Sequence, residues 1–295
     1  MSNTRDEGNK AVARMTLHSG AYDITREALS SYPVPNQTDT YAPVPHGKLM
    51  DEVHGVLGEF GLSIVKERYA VQDMRMKTDD PGPGARMFST IIASPDDTVD
   101  TEGDMLDMAL AVRNSYDKSI AVGVAAGSHV FVCDNLILSG EINATRKHTP
   151  NVWNDIFPII RGVVAVMQRQ HTLDEEMRHE MKGVNIDTNR GLDLLGSMAA
   201  HGDLPFLGGS ASMFGLALRE WREPTYEEFH DRNLWSLFNA CTFATKKSSI
   251  LQTMLNNALV VDRMRRLLDP KNDKFGVKAK ELNGEILQLK ESLKV

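Results

Sequence analysis

The feature that most constrains this chain is a single change of period. Between Leu62 and Leu138 apolar residues come in short β-branched and aromatic runs separated by tight turns, and after Gly140 they recur at helical spacing. Strands grouped first and helices grouped after exclude an alternating α/β fold. They predict an α+β protein, with an antiparallel five-stranded meander-type sheet followed by a helical C-terminal half.

The runs place the elements. Leu49, Val53, Val56 and Leu57, with Phe60, make an amphipathic helix that Gly61 ends. Strands are expected at 62–71, 86–93, 109–115, 119–124 and 128–138, with Ala125-Ala126-Gly127 as a corner. One long helix is expected over 151–182, bent or broken at Pro158, and a second over 188–201. Residues 203–210 read as a loop, and Thr225 with Glu228 has the spacing of a capping box opening a third helix. Ser248 or Ser249 opens a fourth, ended by Asp269-Pro270. Leu282, Ile286, Leu289 and Leu293 stripe the last, to pack on their own domain or on another subunit. The expected organisation is a mobile or irregular lead over 1–44, an α+β domain over 45–247 and C-terminal helices over 248–295.

Composition narrows the class. With 41% apolar and 25% charged residues, the chain has enough core for a globular domain and is neither a disordered tail nor a disulfide scaffold. The longest apolar stretch, Ile156 to Met167, is broken by Arg161 and falls short of the roughly 20 residues a bilayer span needs. The first ten residues have no apolar core, so no signal peptide is expected there. A cytoplasmic setting without a membrane partner follows as the expectation, and Cys133 and Cys241, both in apolar company, read as buried free thiols.

Charge is uneven. Residues 79–107 hold eight acids against one base, and residues 246–295 hold eleven bases against six acids. Both runs read first as solvated surface. The basic end can also meet an anion such as nucleic acid, or the acidic loops of another subunit in a homo-oligomer.

Most of the site signal lies in one hairpin, Arg113-Asn114-Ser115-Tyr116-Asp117-Lys118-Ser119. Short polar side chains around a tight turn bond their own backbone, which makes scaffolding the plain reading. The sharper reading is that the tip presents Asn114, Asp117 and Lys118 to a ligand. Asn135 would lie near them on the next strand, with Cys133 on its face and Asp134 on the other. Two Glu-x-x-His pairs, Glu176/His179 and Glu227/His230, have the spacing of di-iron bundles. The bridging glutamates such a site needs are not evident, so helix-face charge explains both, and no metal or other cofactor is expected. No phosphate loop or Ser-His-Asp order is present, and no catalytic residue is assigned.

The hairpin, the following Phe131-Val132-Cys133-Asp134-Asn135-Leu136, the step Arg146-Lys147-His148 and the late Asn233-Leu234-Trp235 to Asn239-Ala240-Cys241-Thr242 together resemble the phage- and plasmid-like family called domain of unknown function 932. The resemblance runs in order over roughly residues 45 to 247. Where the family often has an acid after the late Asn-Ala-x-Thr, this chain has Phe243-Ala244. The resemblance implies a mobile-element setting and brings no established activity.

Two functions from different classes are expected. The first is an accessory protein that binds nucleic acid, of the single-stranded DNA binding or annealing type. A meander leading into a long helix is similar in order to the core of phage single-strand annealing proteins, although topology alone does not fix function. Arg113, Lys118, Arg146, Lys147 and Arg161 would then track phosphates, with Asn114, Asp117, Asn135 and His148 beside them, and Phe88 or Tyr116 would stack bases. The second is a module that modulates a host defence protein through the acidic 79–107 surface. An enzyme built on Asn114, Asp117 and Asn135 ranks last, because these groups supply no nucleophile or neutral-pH base.

Overall fold

The computed structural model describes residues 21–74, 84–95, 106–130, 135–137, 143–248 and 250–292. The fold is α+β: an antiparallel sheet followed by C-terminal helices. Strand β1 (Tyr22–Asp23) and the short helix α1 (Arg26–Ser30) precede helix α2 (His46–Glu59). Strands β2 (Ser63–Met74), β3 (Gly84–Ser94), β4 (Leu106–Ser115), β5 (Val122–Val130) and β6 (Asn135–Ile137) follow, each antiparallel to its predecessor. Strand β7 (Asn143–Arg146) returns to pair with β5 beside β6.

The sheet therefore has seven described strands where five were expected. The two expected strands meeting at Ala125-Ala126-Gly127 are one continuous β5. These small residues are not a corner: Ala125 and Ala126 are buried, and the pairing with β4 runs through them. No Pro, Asn or Asp is there to break the ladder. The expected irregular lead is likewise structured from residue 21. Strand β1 pairs with β2, Thr25 caps α1 by accepting from the Ala28 N–H, and Tyr41 and Val44 are buried.

One 32-residue helix, α3 (Val152–Gly183), runs through Pro158 and packs across β4, β5 and β7. Its Ile156, Ile160, Val163 and Met167 join Leu110, Val112, Val124 and Ala126 from the sheet in one core. A buried polar group ties the same layers: the Ser128 hydroxyl donates to Asp174 (2.7 Å) and meets His171 Nδ1 (3.1 Å). Burial pushes the Asp174 carboxyl up to about 7.

Helices α4 (Thr188–Ala200), α5 (Pro205–Gly208), α6 (Ala211–Arg222), α7 (Leu234–Thr245), α8 (Ile250–Leu268) and α9 (Lys274–Ser292) complete the chain. The expected loop over 203–210 holds α5, and α6 had no sequence assignment. Its buried face includes a carboxylate, Glu220, beside Ala217 and Trp221, which hides the apolar stripe. The capping box at Thr225 is not used as one. Thr225 donates its N–H (3.0 Å) and its hydroxyl (2.9 Å) to Glu220, and only a 3-10 turn, Glu227–Phe229, follows. Helix α7 starts later, where Asn233 accepts from the Ser236 N–H. The last helix packs on its own chain. Leu282 and Ile286 are buried, Gly162 of α3 lets Ile286 approach, and Arg169–Glu285 and Lys278–Glu176 pairs flank the contact.

Trp221 and Trp235 are fully buried, and Trp153 only partly. Cys241 is a buried free thiol, pushed up to about 12 by desolvation, and Cys133 lies outside the described residues. No described helix is long and apolar enough to cross a membrane.

Packing at Trp221 generates a matched pair of expectations. A Cβ at Gly191 would sit 2.2 Å from the Trp221 ring, whereas one at Gly196 on the same helix meets nothing within 4 Å. Gly191→Ala is expected to lower the unfolding free energy by about 1–3 kcal/mol. Gly196→Ala should be neutral or raise it by up to about 1 kcal/mol. Urea denaturation of the two variants checks this, and equal effects would contradict the packing.

Candidate nucleic-acid interface

The hairpin between β4 and β5 is built around the Asn114 side-chain amide, which is completely buried. Its nitrogen donates to the Val44 carbonyl (2.6 Å) and to His46 Nδ1 (2.9 Å). Its oxygen accepts from the Ser115 N–H (2.9 Å) and from His148 Nε2 (2.7 Å). Two donors and two acceptor lone pairs are all the amide has, and all are used. These bonds set the tautomers: His148 carries its proton on Nε2, and His46 accepts at Nδ1. The His46 ring stacks on Tyr116 with centroids 3.9 Å apart, and the Tyr116 hydroxyl accepts from the His46 N–H (2.9 Å). Tyr41 closes the group by donating to the Tyr116 carbonyl (3.1 Å).

Two separate pieces of the sequence motif, the Asn-Ser pair and the basic-His step, thus meet directly through Asn114 and His148. Direct ligand contact by Asn114, Tyr116 or His148 is ruled out by their burial, and these three residues are corrected to scaffold. Phe88 is also buried, in a small cluster with Ile120, so neither proposed stacking ring is available to a base. Asp117 is turned inward as well. It accepts from Arg86 Nε (3.1 Å), from the Ser119 N–H (3.1 Å) and from the Ser119 hydroxyl.

The cations divide. Arg146 is paired with Asp155 in the first turn of α3, and Arg161 with Glu59. Arg113 faces away from Asn114 on its strand, beside Gly123 and Thr145, with its Nε buried and unpaired. For Asn135 only the backbone pairing with Val130 is described. Cys133, Asp134 and most of the acidic 79–107 stretch lie outside the described residues.

Lys118 and Lys147 remain exposed, and the structure adds Lys48, which sequence reasoning had read only as part of a helix. Each lies within one or two residues of a member of the buried group: Lys48 after His46, Lys118 after Tyr116, Lys147 before His148. Three exposed lysines from three distant segments thus stand next in sequence to members of one buried polar knot. Lys118 Nζ sits 4.4 Å from the Tyr41 ring centroid, and Lys48 Nζ 4.5 Å from that of the half-buried Trp153. Lys118 also has φ +61°, a conformation that favours Gly or Asn and costs a lysine about 1 kcal/mol.

The Glu-x-x-His pairs sit elsewhere. Glu176 reaches Lys278, and His230 Nε2 lies 3.3 Å from the Pro224 carbonyl. Among the described residues no group of three His, Cys, Asp or Glu is placed to hold a metal ion.

Burial lowers His46 to about 3 and His148 to about 4, from the usual 6.5. Both are neutral when folded and free to protonate when unfolded, so the unfolded state binds more protons below pH 6.5. Their contribution to stability is complete above about pH 6.5 and is lost toward pH 4, by up to about 1.4 kcal/mol per pH unit for each histidine, while the Asp174 carboxyl, protonated in the fold up to about 7, works in the opposite direction over this range. His148→Gln should flatten this acid limb in denaturant titrations at several pH values; an unchanged slope would contradict a neutral buried imidazole. Asn114→Asp, which loses both donors, is expected to cost about 2–5 kcal/mol.

No family model, curated protein or solved structure matches the chain in the comparisons with known proteins.

Proposed function

We propose that this chain is a non-enzymatic accessory protein of a mobile genetic element that binds single-stranded nucleic acid across the lysine-bearing end of its sheet. The observation that carries the reading is the convergence of Lys48, Lys118 and Lys147 on one buried scaffold. Phosphates are taken up by spaced ammonium groups, and a single strand leaves its bases free to lie against an aromatic face. Trp153, half-buried with Lys48 over its ring, supplies such a face once the Lys48 ammonium turns to a phosphate. The mobile-element setting rests on the family resemblance of the hairpin and the late helix.

The whole chain carries −7, so binding rests on this local patch and weakens steeply with salt. Fluorescence anisotropy of a labelled oligothymidylate, read over a range of salt concentrations, tests the reading. Changing Lys48, Lys118 and Lys147 together to Ala should lower the salt slope by about 2, at roughly 0.7 per lost phosphate contact. No binding by the unaltered chain at low salt, or an unchanged slope in the triple variant, rejects it.

A further inference from the structure

The helical half has its own cation-lined feature. A cavity of about 590 Å3 lies between α6 and α7, lined by Ser212, Leu216, Arg219, Phe243, Lys246 and Lys247 among others. Among the described residues no carboxylate lines it, in a chain that is acidic overall. Arg219 and Lys247 are exposed, while Lys246 is buried with its Nζ 5.2 Å from the Phe243 ring centroid. A neighbouring acid, Glu220, meets Arg219 at 3.4 Å, but its oxygens are already held at 2.9 and 3.0 Å by Thr225. Cations near a helix C-terminus are favourable on dipole grounds alone, which accounts for basic residues at the ends of α6 and α7. It does not account for three of them lining one cavity with a half-exposed aromatic ring.

We propose that this cavity is a nucleotide site, in which Arg219, Lys246 and Lys247 take the phosphates and Phe243, with Leu216, takes the planar base. Charge-assisted bonds from a guanidinium and two ammonium groups suit a phosphate ester, and the Ser212 hydroxyl adds a neutral donor. The Phe243 ring, which lines the cavity, gives the base a surface. The site is distinct from the lysine-bearing end of the sheet and stands whether or not that end binds a strand. The nucleotide is either free or the phosphorylated end of a strand, since both present the same chemistry.

Isothermal titration of the full chain at low salt with thymidine triphosphate and with inorganic tripolyphosphate tests this. Saturable binding of thymidine triphosphate, about tenfold tighter than tripolyphosphate, is expected. The double variant Arg219→Gln, Lys247→Gln, both at exposed positions, should weaken thymidine triphosphate by about tenfold or more while keeping the thermal melt of the parent. Phe243→Ala should bring the two ligands to equal affinity, and Phe243→Trp should restore the preference. Displacement by a terminally phosphorylated oligothymidylate assigns the site to strand ends, and failure to displace assigns it to free nucleotide. The proposal is overturned if the parent shows no saturable binding, or if the double variant binds as the parent does. It is equally overturned if binding is lost instead in the Lys48, Lys118, Lys147 triple alanine variant.

Discussion

The architecture around the sheet depends on one saturated amide. Asn114 is sealed from water, and a buried amide with an empty donor or acceptor costs more than most single contacts return. Each of its four bonds reaches a different group: the carbonyl before α2, a ring at the start of α2, its own strand, and the segment entering α3. Helix α2, the central hairpin and the long helix are thus held in register by directional bonds as well as by apolar packing, which alone tolerates sliding. Leucine could fill the volume of Asn114, and alanine part of it, but neither could choose among registers.

Much of this was legible in the sequence. The switch from strand to helix period gave the fold class, because burial on one face of a sheet or helix imposes its own spacing on apolar residues. The ends of α2, α3 and α4 fell near their expected places for the same reason. Legibility failed where buried residues broke the pattern. The run Ala125-Ala126-Gly127 looks like a corner by composition, yet lies inside a strand. Glu220 hides the buried face of α6, and its bonds to Thr225 divert a good capping residue into a different task.

The hairpin motif shows a different limit. Its residues were the right ones to single out, but sequence distinguishes poorly between a polar side chain that greets a ligand and one that completes an interior network. Both favour Asn, Ser and Asp at tight turns. The deciding partners, Val44 and His46, lie some seventy positions earlier and carry no signature of their own. Lys48 could be assigned to the surface only once His46 was known to be anchored. In the sequence Phe243 stood only in the apolar company of Cys241. Its neighbours across the groove, Arg219 and Ser212, belong to a helix that the sequence pattern concealed.

The closure of the Asn114 knot also has an order in time. On a ribosome, residues 44 to 46 and the 114 to 116 turn emerge well before His148, so the amide waits for its last partner while the hairpin is already made. Until that partner arrives, one lone pair of the amide must find water, and the turn bearing Lys118 has no reason to stay next to Lys147. A nascent chain interrupted before residue 147 would therefore carry the hairpin without its last partner and without Lys147. The knot is complete only when the segment leading into α3 reaches the hairpin, which links it to the start of the long helix.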